Sequence, residues 1–283
     1  MDKIARPVLR YHGGKWKLAP WIIGYFPAHR VYVEPYGGAA SVLMRKPRSY
    51  AEVYNDTWSI VVNVFRVLRE PGTAAELERV IRLTPYAREE FDACGDAEII
   101  IIDDPIEKAR RTILRSFAGF GSASTNAQHS TGFRANSNRS GTTPAHDWMH
   151  YPDLIPTFTK RLSGVVIEHR DAMDVMEQHD GIQTLHYVDP PYVLSTRNVK
   201  RGNAYYDQEM SDEQHRTLAA TLHELQGMVV LSGYRCALYD ELYHDWRRVD
   251  HATHADGAKD RIESLWLSPN VGTMPSMNFS GEE

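Results

Sequence analysis

An α/β fold, its sheet mostly parallel and interrupted by a mainly helical insert, follows from three observations on this sequence. Short apolar runs, each followed by a turn and a helix-like stretch, recur at both ends of the chain. Between Thr57 and Arg161 the pattern changes to helices. The 283 residues, 42% apolar and 24% charged, have an ordinary globular composition and are numerous enough for one large domain carrying an insert.

Taken in order, Val31 to Glu34 runs into Pro35-Tyr36-Gly37-Gly38, and Ala51 to Tyr54 runs into Asn55-Asp56. Further strands are expected at Val165 to Ile167, Leu185 to Val188, Met228 to Leu231 and Ile262 to Leu267. Inside the insert, Thr73 and Glu76 have the spacing of a capping box, and Asp104-Pro105-Ile106-Glu107 supplies a cap, a first-turn proline and an acid at the third helical position. Ile106, Ala109, Ile113 and Phe117 then follow at helical spacing. Ile99 to Ile102 fits a short strand or a buried helical turn equally well. Gly119 to Thr143, rich in Gly, Ser, Thr and Asn, reads as a long loop or loose hairpin, and loops of that length are usually functional or disordered. Ser211 with Gln214 predicts one more helix cap. The expected division is 1–56 with 162–283 as one domain and 57–161 as its insert.

No apolar run approaches the ~18 residues of a membrane span, and Met1-Asp2-Lys3-Ile4 has no signal-peptide core, so a cytoplasmic protein without membrane contact is expected. Cys94 and Cys236 lie far apart, suit neither a disulfide framework nor a metal site, and are expected reduced. His244, His251, His254 and Asp256 lack tight zinc spacing, so no metal is expected. The net charge of −5 excludes a protein that coats nucleic acid by bulk electrostatics. Yet Pro105 to Arg161 holds eight Lys and Arg against three acids, the pattern of a basic recognition face on an acidic body.

The chemistry-bearing stretch is Asp189-Pro190-Pro191-Tyr192, at the end of the apolar run Leu185 to Val188. Its two prolines fix their own φ and donate no N–H, which turns the carbonyls outward beside an acid and an aromatic plate. A planar heteroaromatic amine fits such a clamp, with its N–H donors on Asp189 and the Pro190 carbonyl and its ring against Tyr192. The bland alternative is a strand ending in a polyproline turn with a surface tyrosine. Upstream, Gly37 and Gly38 let backbone approach a ligand closely, and small residues open what reads as the next helix. The stretch matches neither a P-loop nor the dinucleotide fingerprint. Asp56 lies about 20 residues further on, where an acid commonly accepts hydrogen bonds from a ribose diol, so an adenosine-containing cofactor is suggested.

Together these segments resemble the Dam-type DNA N6-adenine methyltransferases, in which a cofactor motif precedes the recognition insert and the catalytic clamp follows it. The resemblance spans nearly the whole chain. It rests on Arg10-Tyr11-His12-Gly13-Gly14-Lys15-Trp16-Lys17-Leu18, Glu34 to Ser41, Val53 to Asp56, His169-Arg170-Asp171-Ala172-Met173 and Asp189 to Tyr192, with Val229 to Gly233 and Glu263 to Leu267 similar to later strands.

The resemblance implies a Rossmann-like, S-adenosylmethionine-dependent methyltransferase sheet with a DNA-recognition insert. It implies a catalytic role for Asp189, Pro190 and Tyr192 on an adenine flipped out of double-stranded DNA. Cofactor contacts are implied for Tyr11, Gly14, Lys15, Glu34, Pro35, Gly37, Gly38, Asp56, Asp171 and Asp189. In that assignment Lys15 lies near the donor's carboxylate, Asp56 holds the ribose and Asp171 the adenine amine. The insert is implied to read sequence in the major groove. Arg115, Asn126, Arg134, Asn136, Arg139, Arg197 and Lys200 are the DNA candidates, arginine suiting guanine and asparagine adenine. For each loop residue a phosphate contact is an equal alternative.

The expected partners are double-stranded DNA and, as a separate protein, a restriction endonuclease. The expected particle is a monomer or weak dimer of prokaryotic or phage type. Phe117-Ala118-Gly119-Phe120-Gly121-Ser122 departs from the family, whose members often carry an arginine there, so the recognised sequence is expected to differ. The rival readings are cytosine-N4 methylation and a catalytically silent DNA-binding homologue. Related protein-glutamine enzymes are disfavoured because they usually carry Asn where this chain has Asp189.

Overall fold

The protein is represented by a computed structural model that describes residues 4–11, 13–119, 132–136, 141–196, 209–254 and 260–272. Its strands are β1 Val31–Glu34, β2 Ala51–Asn55, β3 Val165–Glu168, β4 Thr184–Val188, β5 Met228–Gly233, β6 Arg247–His254 and β7 Asp260–Leu267. They form one sheet in the order β3-β2-β1-β4-β5-β7-β6. β1 pairs in parallel with β2 and β4, β4 pairs in parallel with β5, and β7 runs antiparallel between β5 and β6.

The helices are α1 Ala19–Ile23, α2 Ser59–Arg69, α3 Pro71–Leu83, α4 Arg88–Asp92, α5 Asp96–Ile100, α6 Pro105–Ala118, α7 Pro144–Met149, α8 Ile155–Leu162, α9 Ala172–Gln178, α10 Asp212–Glu224 and α11 Ala237–Leu242. No helix among the described residues is long and apolar enough to cross a membrane. The chain divides into two compact units, one of Met1–Ala19, Gly38–Lys46 and Asp56–His169, the other of Pro20–Gly37, Pro47–Asn55 and Arg170–Glu283.

The helical unit is built around α2, whose Ile60, Val61, Val62, Val64, Phe65, Val67 and Leu68 are all buried among α3, α6 and α8. Asp104 caps α6 as expected, its side chain accepting from the Ile106 N–H at 2.9 Å with Pro105 in the first turn. The cap expected at Thr73 does not form. Pro71 starts α3 two residues earlier, and the Thr73 hydroxyl donates instead to the carbonyls of Val67 and Glu70, satisfying acceptors at the end of the preceding helix. Of the ambiguous stretch, Ile99 and Ile100 end α5 while Ile101 and Ile102 lie beyond it, and of these only Ile99 is fully buried. At the base of the glycine-rich segment, Gly119 bridges antiparallel to Phe133, which packs against Tyr86 and Phe91. Residues 120–131 and 137–140 lie outside the described residues.

The small residues after Gly38 do not open a helix. Gly38 and Ala40 both adopt positive φ, 46° and 51°, and a left-handed residue breaks a right-handed helix, leaving a series of turns with Met44 N–H on the Ala40 carbonyl.

In the α/β unit, β4 and β5 are buried along their whole length, as strands covered on both faces must be, and this explains their continuous apolar runs. One cluster containing Met176, Val188, Leu218, Leu222, Val229, Leu231, Tyr239, Tyr243 and Trp266 packs α9, α10 and α11 on the sheet. The capping box at Ser211 and Gln214 is formed in both directions. β6 was not foreseen, because an edge strand reading Arg-Arg-Val-Asp-His-Ala-Thr-His has no apolar run to signal it.

Where α9 turns into β4, Asp180 gathers the N–H groups of Gln226 and Gly227 at 2.7 and 2.9 Å and His186 Nε2 at 3.2 Å. Burial pushes its carboxyl up, but the His186 hydrogen bond and the two backbone donors outweigh that and hold it at about 2, below the ordinary 3.8. A carboxyl lowered on folding stabilises fully above its unfolded pKa and loses that contribution as pH falls to the folded one. Asp180→Ala is therefore expected to lower the unfolding free energy by about 1–3 kcal/mol at pH 7, since it strands two backbone donors. The difference from the parent should shrink between pH 4 and pH 2, as read by urea denaturation at each pH.

Candidate active site

In the α/β unit the chain leaves β1 toward β2 on one side, while β4 lies on the other. Neighbouring parallel strands whose connections diverge open a crevice at their carboxyl ends. The register Val33 to His186 ends β1 one residue before β4, so the turn from Glu34 and Pro35 and the segment Asp189-Pro190 leave the sheet from neighbouring strands at the same edge. Glu34 is buried and accepts a 2.6 Å hydrogen bond from the Tyr32 hydroxyl.

The turn after β1 is held by Asn55, at the end of β2 and completely buried. Its Nδ2 donates to the carbonyls of Pro35 at 2.9 Å and Arg170 at 3.1 Å, while its Oδ1 accepts from the Arg170 N–H at 3.0 Å. The Asn55 carbonyl in turn receives the Gly37 N–H at 2.8 Å. Asp171 follows directly and caps α9 through the Met173 N–H at 2.8 Å. The Tyr36 hydroxyl is pushed well up, first by burial and then by the Asp171 charge. Gly37 has a reason internal to the protein, because any Cβ there would collide with the Tyr54 ring.

Asp189 is half-buried, and its charge acts on Tyr187, Tyr192 and Tyr239, each already pushed far up chiefly by burial. Tyr192 is fastened rather than loose. Its hydroxyl lies 3.0 Å from Ser232 Oγ on β5 and donates at 2.9 Å to Glu263 Oε2 on β7, and its ring meets Tyr234 edge to face at 4.6 Å.

In the helical unit, Tyr11, Gly14, Gly38 and Asp56 come together. Gly14 N–H donates to the Tyr11 carbonyl at 3.1 Å, and the Tyr11 ring sits where a Gly38 Cβ would approach within 3.0 Å. Asp56 receives Gly38 N–H on Oδ2 and Trp58 N–H on Oδ1, both at 2.8 Å. Burial raises its carboxyl above the ordinary range, and the Trp58 and Gly38 amides and the nearby His169 only partly offset this. Lys15 is buried, with Nζ donating to the Gly13 carbonyl at 2.8 Å.

The DNA candidates fare differently. Arg115 donates from Nη1 to the Cys94 carbonyl at 2.7 Å, Arg134 from Nη1 to the Phe117 carbonyl at 2.9 Å, and Asn136 is exposed. Asn126, Arg139, Arg197 and Lys200 lie outside the described residues. Arg110 and Arg111 pair with Glu107, and Arg161 is buried on the Leu43 carbonyl. Much of the basic excess counted in the sequence is therefore consumed inside the helical unit and does not form an open face.

Of the imagined metal cluster, His251 stacks on Trp21 and His244 bonds the Glu241 carbonyl. Among the described residues no group of metal-ligating side chains converges. Sequence reading missed the clamping role of Asn55, the Trp58 amide on Asp56, and Ser232 and Glu263 behind Tyr192.

No curated protein matches the chain. A family model, D12 class N6 adenine-specific DNA methyltransferase, matches residues 11–255, a span that includes the segment around Tyr11, both glycines, Asp56, Asp171 and the Asp189 clamp. Matched over most of its length, the chain belongs to the D12 class of N6 adenine-specific DNA methyltransferases and is an enzyme that methylates adenine in DNA.

Proposed function

We propose that Asp189, Pro190 and Tyr192 form the clamp that receives a flipped-out adenine, and that the observation carrying this reading is their exit from β4 beside Glu34 at the switch point of the sheet. The exocyclic amine of adenine is a poor nucleophile because its lone pair is delocalised into the ring. Two hydrogen bonds, to the Asp189 carboxylate and the Pro190 carbonyl, favour a pyramidal nitrogen and direct that lone pair. Asp189 acts as an acceptor and positioner. Unstacking the base costs a few kcal/mol, and stacking on Tyr192 offsets about 1–3 kcal/mol of it.

The family implies S-adenosylmethionine, which supplies a methyl already activated on a sulfonium. The residues present fit that donor. Asp56 is a carboxylate with two lone-pair sites taken by backbone amides and others left for the ribose hydroxyls. Tyr11, Gly14, Lys15, Glu34, Pro35, Gly37, Gly38 and Asp171 are assigned the remaining contacts. Residues 57–161 are assigned to target recognition, with Asn136 and, outside the described residues, Asn126, Arg139, Arg197 and Lys200 as readers. Arg115 and Arg134, whose guanidinium groups are oriented by the Cys94 and Phe117 carbonyls, are assigned to DNA contact as well. A separate endonuclease partner, a monomeric or weakly dimeric particle and a cytoplasmic location complete the proposal.

Incubation with labelled donor and unmethylated DNA, followed by nucleoside identification and sequencing, is expected to give N6-methyladenine at a defined site. Methylcytosine or no transfer overturns the reading. Asp189→Ala should lower kcat at saturating donor at least about 100-fold, the scale of a lost positioning contact. Turnover close to the parent's would remove Asp189 from the mechanism.

Asp56→Ala should instead weaken donor binding tenfold or more, since each hydrogen bond to a charged group contributes about 1.5–3 kcal/mol. kcat at saturating donor should change little. Because burial raises the Asp56 carboxyl, donor affinity should begin to fall on acidification at a pH above the ordinary 3.8, as protonation removes an acceptor. Calorimetric titration across pH checks both, with Asp56→Ala expected to flatten the pH response.

A further inference from the structure

The acid behind the tyrosine has a use that the clamp alone does not explain. The Tyr192 hydroxyl has one proton to donate, and it donates to Glu263 Oε2 at 2.9 Å. Ser232, 3.0 Å away, must then donate its own proton to the phenolic oxygen. The tip of the ring is therefore fixed from two strands at once, β5 through Ser232 and β7 through Glu263, while Tyr234 fixes its side edge to face at 78°. Ser232 and Glu263 are themselves buried, at 1% and 8% exposure, and sit on strands whose register fixes them. Among the described residues Glu263 has no ion pair, so its burial is not accounted for by a cation.

A stacking plate needs only a ring face, which phenylalanine also provides. What the hydroxyl adds is orientation, because the torsion that turns an aromatic ring about its own axis is broad and is otherwise limited only by packing.

We propose that Glu263 and Ser232 are positioning residues for adenine methylation, fixing through the Tyr192 hydroxyl the ring that closes the amine clamp. The proposal rests on the reading of Asp189 to Tyr192 as that clamp. Neither residue touches substrate, and both act through one atom, which makes their effects inseparable from the hydroxyl's.

A double-mutant cycle tests this. Tyr192→Phe and Glu263→Ala should each lower kcat about tenfold with KM for the donor unchanged, the scale of a slightly misplaced reacting group. Glu263→Gln, whose amide oxygen still accepts, should recover most of the loss. Glu263→Ala added to Tyr192→Phe should cost nothing more, since groups acting through one contact are non-additive. A duplex with 2-aminopurine at the adenine identified by sequencing should show the same altered fluorescence with Tyr192→Phe and Glu263→Ala.

Multiplying losses, full kcat in Tyr192→Phe, or a drop in Tm with kcat of the folded fraction intact would each overturn the proposal. Should Glu263→Ala fail to fold, Ser232→Ala with Tyr192→Phe completes the same cycle. Full turnover by Asp189→Ala removes the clamp reading itself, whereas its loss alongside a fully active Tyr192→Phe removes only the positioning role.

Discussion

The amide of Asn55 is the contact on which the carboxyl edge of the α/β unit depends. With no exposed surface, it satisfies the Pro35 carbonyl and both backbone groups of Arg170, and its own carbonyl takes the Gly37 N–H. One side chain thus fixes the turn leaving β1 and the turn entering α9, and Asp171 inherits its place from the latter. Aspartate there would lose both donors and bury a charge, and leucine would strand three backbone groups at about 1–3 kcal/mol each. The donor and acceptor pattern of an amide is what this junction requires, and no other side chain of that size supplies it except by rebuilding the turns.

Around that junction the acids are distinguished by their partners. Glu34 accepts a hydrogen bond from the Tyr32 hydroxyl and lies inside the protein, Asp171 is occupied in capping a helix, and Asp189 stands among tyrosines that burial keeps firmly protonated. Such an arrangement concentrates negative potential at one edge of the sheet without any metal-ligating convergence among the described residues. Carboxylates gathered in this way favour a cationic group over an anionic one at that edge. The left-handed pair Gly38 and Ala40 in the helical unit belongs to the same economy of design, because a buried alanine at φ 51° persists only where its surroundings hold it there.

The parts of this molecule legible in the sequence were those governed by local chemistry or by burial on both faces. β5 announced itself by the apolar run Met228 to Leu231 and β4 by Leu185, Tyr187 and Val188 around a buried His186, and Asp104 and Ser211 capped their helices as their spacing required. Thr73 failed as a cap because Pro71 satisfied the start of α3 first, a competition that the four-residue pattern does not contain. β6 was invisible because edge strands are kept charged, and the turns after Gly38 looked helical because composition does not reveal the sign of φ. Asp189 and Asp56 could be singled out from sequence, but Asn55, Ser232 and Glu263 could not. Their significance lies in which distant backbone or hydroxyl each reaches.

The arginines carry the same lesson for DNA recognition. A window with a large basic excess looked like a binding face, yet Arg110 and Arg111 neutralise Glu107, Arg161 is buried on a carbonyl, and Arg115 and Arg134 each spend a donor on the helical scaffold. Guanidinium groups have five donors in a fixed fork, so one bonded to a carbonyl is oriented as well as occupied. An oriented arginine suits a specific contact better than a mobile one, at the cost of reach. With a net charge of −5 the protein has little non-specific attraction for a polyanion, so discrimination must come from a few placed groups rather than from bulk charge. Charge counting measures how strongly a surface attracts DNA in bulk. It says little about which of those groups are placed to read a base.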